Sequence, residues 1–169
     1  LILGKLGYLG KKLKKDLESR HKFKTNSDTE VILHLYEDLG EECLKKLEGM
    51  FSFAILDLKE KSLFLARDRF GEKPLYYFYH GGFFIFGSEL KALIKSGLVE
   101  KDIDFLSLAK FLTYDYVPSP NTIFKNIFKL EPGNYLFLKW GGQPVKKQYW
   151  DINFQENDNI SFKEALNEL

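Results

Sequence analysis

Few side chains in these 169 residues are candidates for chemistry, and each has a plainer role beside the sharp one. Cys43 is the only thiol, which excludes an internal disulfide and a thiolate metal cluster. The neighbouring charges of Glu41 and Glu42 raise a thiol pKa and oppose the thiolate a nucleophile needs, so Cys43 reads as structural. His21, His34 and His80 are far apart in the chain and fall in different predicted elements, which gives no metal-ligand or triad spacing. Asp28 has two readings: compensation of a helix dipole from the first turn, or a carboxylate held out for a cationic ligand. Arg67, Asp68 and Arg69 close an apolar strand just before Gly71; they form either an ion-pair cluster that holds the loop or a clamp for a ligand. No G-x-G-x-x-G, Walker loop or H-E-x-x-H occurs, so no motif points to a nucleotide or zinc site.

The elements that carry these residues are legible from their periodicity. Leu9, Leu13 and Leu17 recur every four residues among many lysines, one apolar stripe of a short amphipathic helix with a solvated basic face. Ser27-Asp28-Thr29-Glu30 has the form of a capping box and leads into Val31, Ile32, Leu35 and Tyr36 at helical spacing. That helix stops at Gly40, and residues 41–47 predict a second, short one. From residue 51 the texture becomes strand-like. Segments 51–58 and 62–68 flank a charged turn, with apolar residues on both alternating faces, so both faces are buried. Two more hairpins lie downstream: residues 75–86 around Gly81-Gly82, and residues 134–150 around Gly141-Gly142. Between them lie helices 89–95 and 105–112, the latter capped by Asp104, and an extended stretch Tyr116-Val117-Pro118-Ser119-Pro120. Hairpins flanked by helices, without alternating βαβ units, predict an α+β fold with sheet packed on sheet and helices on the outer faces.

Composition limits the function classes. With 25 basic and 24 acidic residues the formal net charge is +1, which removes the electrostatic argument for a nucleic-acid or anionic-membrane partner. No apolar run approaches the roughly 20 residues that cross a bilayer, and the expected compartment is cytoplasmic. The chain begins at Leu1 and ends just after a second capping box, Ser161-Phe162-Lys163-Glu164, which follows the polar stretch 153–159, so we expect an internal piece of a longer protein.

Several longer motifs occur in one order: Thr25-Asn26-Ser27-Asp28-Thr29-Glu30-Val31-Ile32-Leu33, Leu47-Glu48-Gly49-Met50-Phe51-Ser52-Phe53-Ala54, and Ala66-Arg67-Asp68-Arg69-Phe70-Gly71-Glu72-Lys73-Pro74-Leu75-Tyr76-Tyr77. They continue with Phe86-Gly87-Ser88-Glu89-Leu90-Lys91-Ala92-Leu93, Tyr116-Val117-Pro118-Ser119-Pro120-Asn121-Thr122-Ile123-Phe124, Leu130-Glu131-Pro132-Gly133 and Tyr149-Trp150-Asp151. Over residues 13–151 this closely resembles glutamine-hydrolysing asparagine synthetases. The resemblance implies a class II glutamine amidotransferase domain of the N-terminal-nucleophile hydrolase type: a four-layer αββα sandwich of two antiparallel sheets, here truncated. It implies the domain over residues 1–152, a linker over 153–160 and the start of an ATP-pyrophosphatase-like synthetase domain over 161–169.

In such enzymes an N-terminal cysteine attacks glutamine, a thioester forms, and the released ammonia reaches an aspartate activated as an adenylate in the second domain. The resemblance puts Asp28 on the carboxylate that binds the α-ammonium of glutamine. It carries over no catalytic residue: position 1 is Leu, and Leu3-Gly4-Lys5-Leu6-Gly7-Tyr8-Leu9 stands where an Asn-Gly-Glu-Ile-Tyr-Asn stretch would supply the oxyanion hole. The arginine for the glutamine carboxylate would lie upstream of Leu1. No metal ligand is implied in the chain. ATP and Mg are implied only for the downstream domain, with aspartate as acceptor in the full enzyme and a homodimer as one assembly the family allows. Related domains also serve amidotransferases that act on β-lactam precursors or cell-surface sugars, so the acceptor follows from resemblance alone. A second reading is a non-catalytic scaffold or partner-binding module that keeps the fold. The 169-residue polypeptide by itself is expected to release no ammonia from glutamine; release above a buffer blank in a coupled assay would overturn that expectation.

Overall fold

The computed structural model describes residues 2–6, 11–154 and 166. Tyr8, Leu9, the polar stretch from residue 155 and the Ser161 capping box lie outside the described residues. Along the chain come β1 (Ile2–Leu6), α1 (Lys11–Leu17), α2 (Asp28–Leu39), a 3₁₀ helix (Gly40–Lys45), β2 (Phe51–Asp57), β3 (Ser62–Arg67), β4 (Tyr76–His80) and β5 (Phe83–Gly87). α3 (Leu90–Lys95), α4 (Phe105–Tyr114), β6 (Ile127–Lys129), β7 (Asn134–Lys139) and β8 (Val145–Gln148) complete the order. The strands make two antiparallel sheets, one ordered β1-β2-β3-β7-β8 and the other β5-β4-β6.

Local chemistry sets the ends of these elements. The Asp57 carboxylate accepts the amides of Lys59 and Glu60 at 2.9 Å each, and Lys61 takes a left-handed φ of 49°, which closes the β2–β3 hairpin. Gly81 and Gly82 both have positive φ, 58° and 80°, the pairing that a two-residue hairpin turn demands. Ser27 caps α2 by accepting the Thr29 amide, and Gly40, at φ 57°, ends it. Asp104 caps α4, accepting the Leu106 amide at 3.2 Å and the buried Ser107 hydroxyl at 2.6 Å.

Registry then sorts the apolar side chains into three layers of contact. Phe53 pairs with Ala66, Ile55 with Phe64, and Phe64 with Phe137, so one face of the larger sheet carries these residues with Phe51 and Tyr135. That face packs against Leu17 of α1, Val31, Ile32 and Leu35 of α2, and Cys43, Leu44 and Leu47 beyond it. The opposite face presents Ala54, Leu65 and Leu136 to Leu75, Leu130, Tyr77, Phe84 and Phe86, on and beside the smaller sheet. Phe78 and Ile127 cover the far side of the smaller sheet with Leu93 of α3 and Val99. The predicted two-faced burial of β2 and β3 is therefore observed, with sheet packed on sheet.

Four features differ from the sequence expectation. β1 is absent from that expectation, because lysines and glycines dilute its short apolar pattern; it pairs along β2 from Ile2 opposite Ile55 to Leu6 opposite Phe51. β6 is only three residues long, too short for an alternation to register. The segment after Leu39 winds as a 3₁₀ helix where the sequence predicts a helix over 41–47. The proline stretch is not extended throughout, since Ser119-Pro120 is a cis peptide within a turn.

Phe64 sits 1% exposed among Phe53, Tyr36 and Tyr135, with ring centroids 5.1 to 6.1 Å away. Replacing it by Ala opens a cavity on the helical face of the central strand, and Phe64→Ala is expected to lower the unfolding free energy by about 3–5 kcal/mol in a denaturant titration.

Candidate functional site

The loop before α2 turns on one carboxylate. Glu30 does not reach back to the Ser27 amide as the capping box predicts. Its Oε1 accepts the Lys24 amide at 2.8 Å, and its Oε2 accepts both the amide and the hydroxyl of Thr25 at 2.7 Å. The Thr25 hydroxyl in turn accepts the Ser27 amide at 3.2 Å, completing the reciprocal half of the box through an intermediary. Lys14 of α1 fastens the same loop from outside, donating to Asn26 Oδ1 at 2.7 Å. The Thr25 hydroxyl, then the Lys24 amide, lower the Glu30 pKa from 4.5 to about 2 against an opposing effect of burial. Asp28 stands at the first position of α2, half-buried, directly after this braced loop.

The second candidate group resolves differently. Arg67 and Asp68 direct their charges at main-chain groups. Asp68 is 1% exposed; its Oδ1 accepts the amides of Phe70 and Glu72 at 3.1 and 3.0 Å, and its Oδ2 those of Phe51 and Lys73 at 3.2 and 3.0 Å. Arg67 donates to the carbonyls of Lys73, Leu130 and Gly71 at 2.9, 2.6 and 2.6 Å. The loop is closed further by the Gly133 amide on the Asp68 carbonyl at 2.9 Å and the Tyr149 hydroxyl on the Arg67 carbonyl at 2.9 Å. Gly71 and Gly133 cannot take a side chain here: a Cβ would lie 2.8 Å from Pro132 Cγ at the first and 2.4 Å from the Trp150 carbonyl oxygen at the second. The holding role stands, then, but it works by satisfying a loop's amides and carbonyls, with side-chain ion pairing secondary.

Cys43 is fully buried, and its thiol is pushed up to about 12. Burial is the larger cause and Glu42 the lesser, whereas the sequence puts the weight on the flanking glutamates. A thiol so placed is neither ionised nor reachable. Among the three histidines the expectation of isolation fails for two. His21 and His34 stack with ring centroids 4.3 Å apart, because the chain following α1 folds back along α2; His80 stands apart on β4. Helical spacing puts Glu30, His34, Glu37 and Asp38 on neighbouring positions of α2, but nothing in the sequence places His21 beside them.

A family model described as a glutamine amidotransferase domain matches residues 5–150. The chain belongs to that family. Curated relatives of this amidotransferase domain include a putative asparagine synthetase [glutamine-hydrolyzing] 2 of Methanocaldococcus jannaschii, 39% identical over 143 residues, with 80% of this chain and 28% of the relative covered. Asparagine synthetase [glutamine-hydrolyzing] 3 of Bacillus subtilis is 36% identical over 156 residues, covering 91% of this chain and 25% of the relative. The chain thus spans about a quarter of the length of these relatives. Among solved structures, the glutamine phosphoribosylpyrophosphate amidotransferase of B. subtilis superposes with a TM-score of 0.53 over 82% of this chain and 26% of its own, at 23% identity, a likeness of fold. Among the described residues no helix is long and apolar enough to cross a membrane.

The brace gives a pH signature. Because the folded-state pKa of Glu30 lies below its ordinary value, its contribution to stability is present above about 4.5 and is lost as the pH falls towards about 2. The stability difference between wild type and Glu30→Gln, measured by thermal melts, is expected to be constant near neutrality and to shrink across that window.

Proposed function

We propose that this amidotransferase domain is the glutamine-handling module of an asparagine-synthetase-type protein, built as the four-layer αββα sandwich of N-terminal-nucleophile hydrolases. In this reading Asp28 receives the α-ammonium of glutamine, and the ammonia released is used by an ATP-dependent domain that amidates aspartate. The observation that carries it is the brace: a carboxylate at the head of α2, behind a loop whose amides are tied to Glu30, in a chain whose matched relatives include asparagine synthetases. A fixed loop lets Asp28 meet a cation without first being ordered, which is where binding geometry saves free energy.

The 169 residues contain no Ser-Gly-Gly-x-Asp-Ser phosphate loop. The proposal accordingly assigns ATP and Mg, with the aspartate acceptor, to a separate domain. The nucleophile is likewise not Cys43, since a buried thiol pushed up to about 12 cannot attack an amide. A second reading is a non-catalytic module that keeps the fold and a binding carboxylate. A cytoplasmic setting accords with both readings.

The test uses the product of the gene's whole reading frame, comparing asparagine formation from glutamine with formation from free ammonia. Asp28→Asn is expected to weaken glutamine use by about 10–100-fold, the range for losing one hydrogen bond to a charged group, while ammonia-dependent synthesis is unchanged. Equal loss of both activities, or of neither, would overturn the role of Asp28. Ammonia-dependent synthesis with no glutamine-dependent activity in the wild type would favour the non-catalytic module.

A further inference from the structure

The histidine stack meets the braced loop only at Glu30 and takes no part in the role proposed for Asp28. His21 leaves the turn after α1, and its Nε2 is 2.8 Å from Asp38 Oδ1, an oxygen that can only accept, so Nε2 donates there and in the neutral imidazole the lone pair is on Nδ1. That Nδ1 lies 3.6 Å from Glu37 Oε2. The Nδ1 of His34 lies 2.7 Å from the same carboxylate oxygen. Two ring nitrogens thus converge on one carboxylate, and one ligand atom from each of the three residues falls within 4.8 Å of the other two.

The surroundings have the form of a metal site's outer shell. Asp38 orients His21 through Nε2 and is itself held by Arg20 at 2.8 Å, the carboxylate–imidazole arrangement that fixes a ligating tautomer. His34 has a corresponding carboxylate: Glu30 Oε1 is 3.7 Å from its Nε2. With the His34 proton on Nδ1 and donated to Glu37, that Nε2 is buried without a hydrogen-bond partner, a costly arrangement. A cation taken by Nδ1 reverses the tautomer, and the proton on Nε2 then points at Glu30. Closing the site requires the rings, 22° from parallel, to rotate until both Nδ1 atoms face one centre. The Glu37 side chain is 51% exposed and can move to meet them.

We propose that His21 Nδ1, His34 Nδ1 and a Glu37 carboxylate oxygen form a binding site for a first-row divalent cation of the Zn²⁺ kind, with solvent completing the coordination. Two imidazoles and one carboxylate are a borderline-soft donor set that suits such an ion and disfavours Ca²⁺ or Mg²⁺. The bound ion would tie the segment after α1 to the middle of α2.

Zn²⁺ titration of the full chain by calorimetry, with Co²⁺ absorption as the coordination readout, tests the site. One equivalent is expected in the wild type and in His80→Ala, with binding lost in His34→Ala and weakened by about 10–100-fold in Asp38→Asn. Glu37→Gln changes a half-exposed side chain and keeps the test decisive if a histidine variant misfolds; it is expected to weaken Zn²⁺ binding by at least about tenfold. Absence of saturable Zn²⁺ binding in the wild type, or Zn²⁺ binding unchanged in Glu37→Gln, would overturn the proposal.

Discussion

Strand β3 is covered on both faces along Phe64, Leu65 and Ala66 and has no free edge, and this constraint organises the molecule. β2 and β7 occupy its two edges; Phe64 and Ala66 point to the helices, and Leu65 points to the second sheet. A strand so enclosed can be stable only if something apolar covers each side, because its buried main-chain groups and its side chains both forfeit water. α2 and the segment after it answer on one side, and the smaller sheet with Leu75 and Leu130 on the other. The direction of β3 also delivers Arg67 and Asp68 to the point where the chain must turn from one sheet to the other.

That crossing explains why charged residues stand at buried positions. A loop that crosses from one sheet to the other has amides and carbonyls that no ladder satisfies. Asp68 takes four amides and Arg67 three carbonyls, so two opposite charges serve both kinds of main-chain group in one loop. Glu30 applies the same chemistry at a second loop, where it holds Lys24 and Thr25 ahead of α2. Side chains that have the look of ligand clamps are, at the first of these loops, the loop's own hydrogen-bond partners. The consequence is indirect but physical: Asp28 follows a segment already ordered by Glu30.

Much of this is legible in the chain. Ser27, Gly40, Asp104 and the Gly81-Gly82 pair each have one strongly preferred backbone role, and the alternation through residues 51–67 announces burial on both faces. The short strands β1 and β6 are not legible, since three to five residues cannot establish a period against lysines and glycines. Glu30 is recognisable as a cap partner, yet its actual partners depend on how residues 24–27 curl back, a matter of loop geometry that spacing does not encode. Cys43 reads as inert for its charged neighbours, while the larger cause is the packing that encloses it.

By itself, then, the sequence determined most of the elements, their caps, the antiparallel α+β architecture and the collinear motifs of an amidotransferase domain. Those are properties of local backbone preference and of periodic side chains, which neighbouring residues decide among themselves. Tertiary structure alone decided that His21 meets His34 across the intervening loop, that Asp68 collects amides from both sides of a loop, and that Glu30 serves the loop before its helix. Each of those contacts depends on where two separate segments are held relative to one another, and that placement is fixed by the burial of β3 and α2 and by nothing written at the contacting residues.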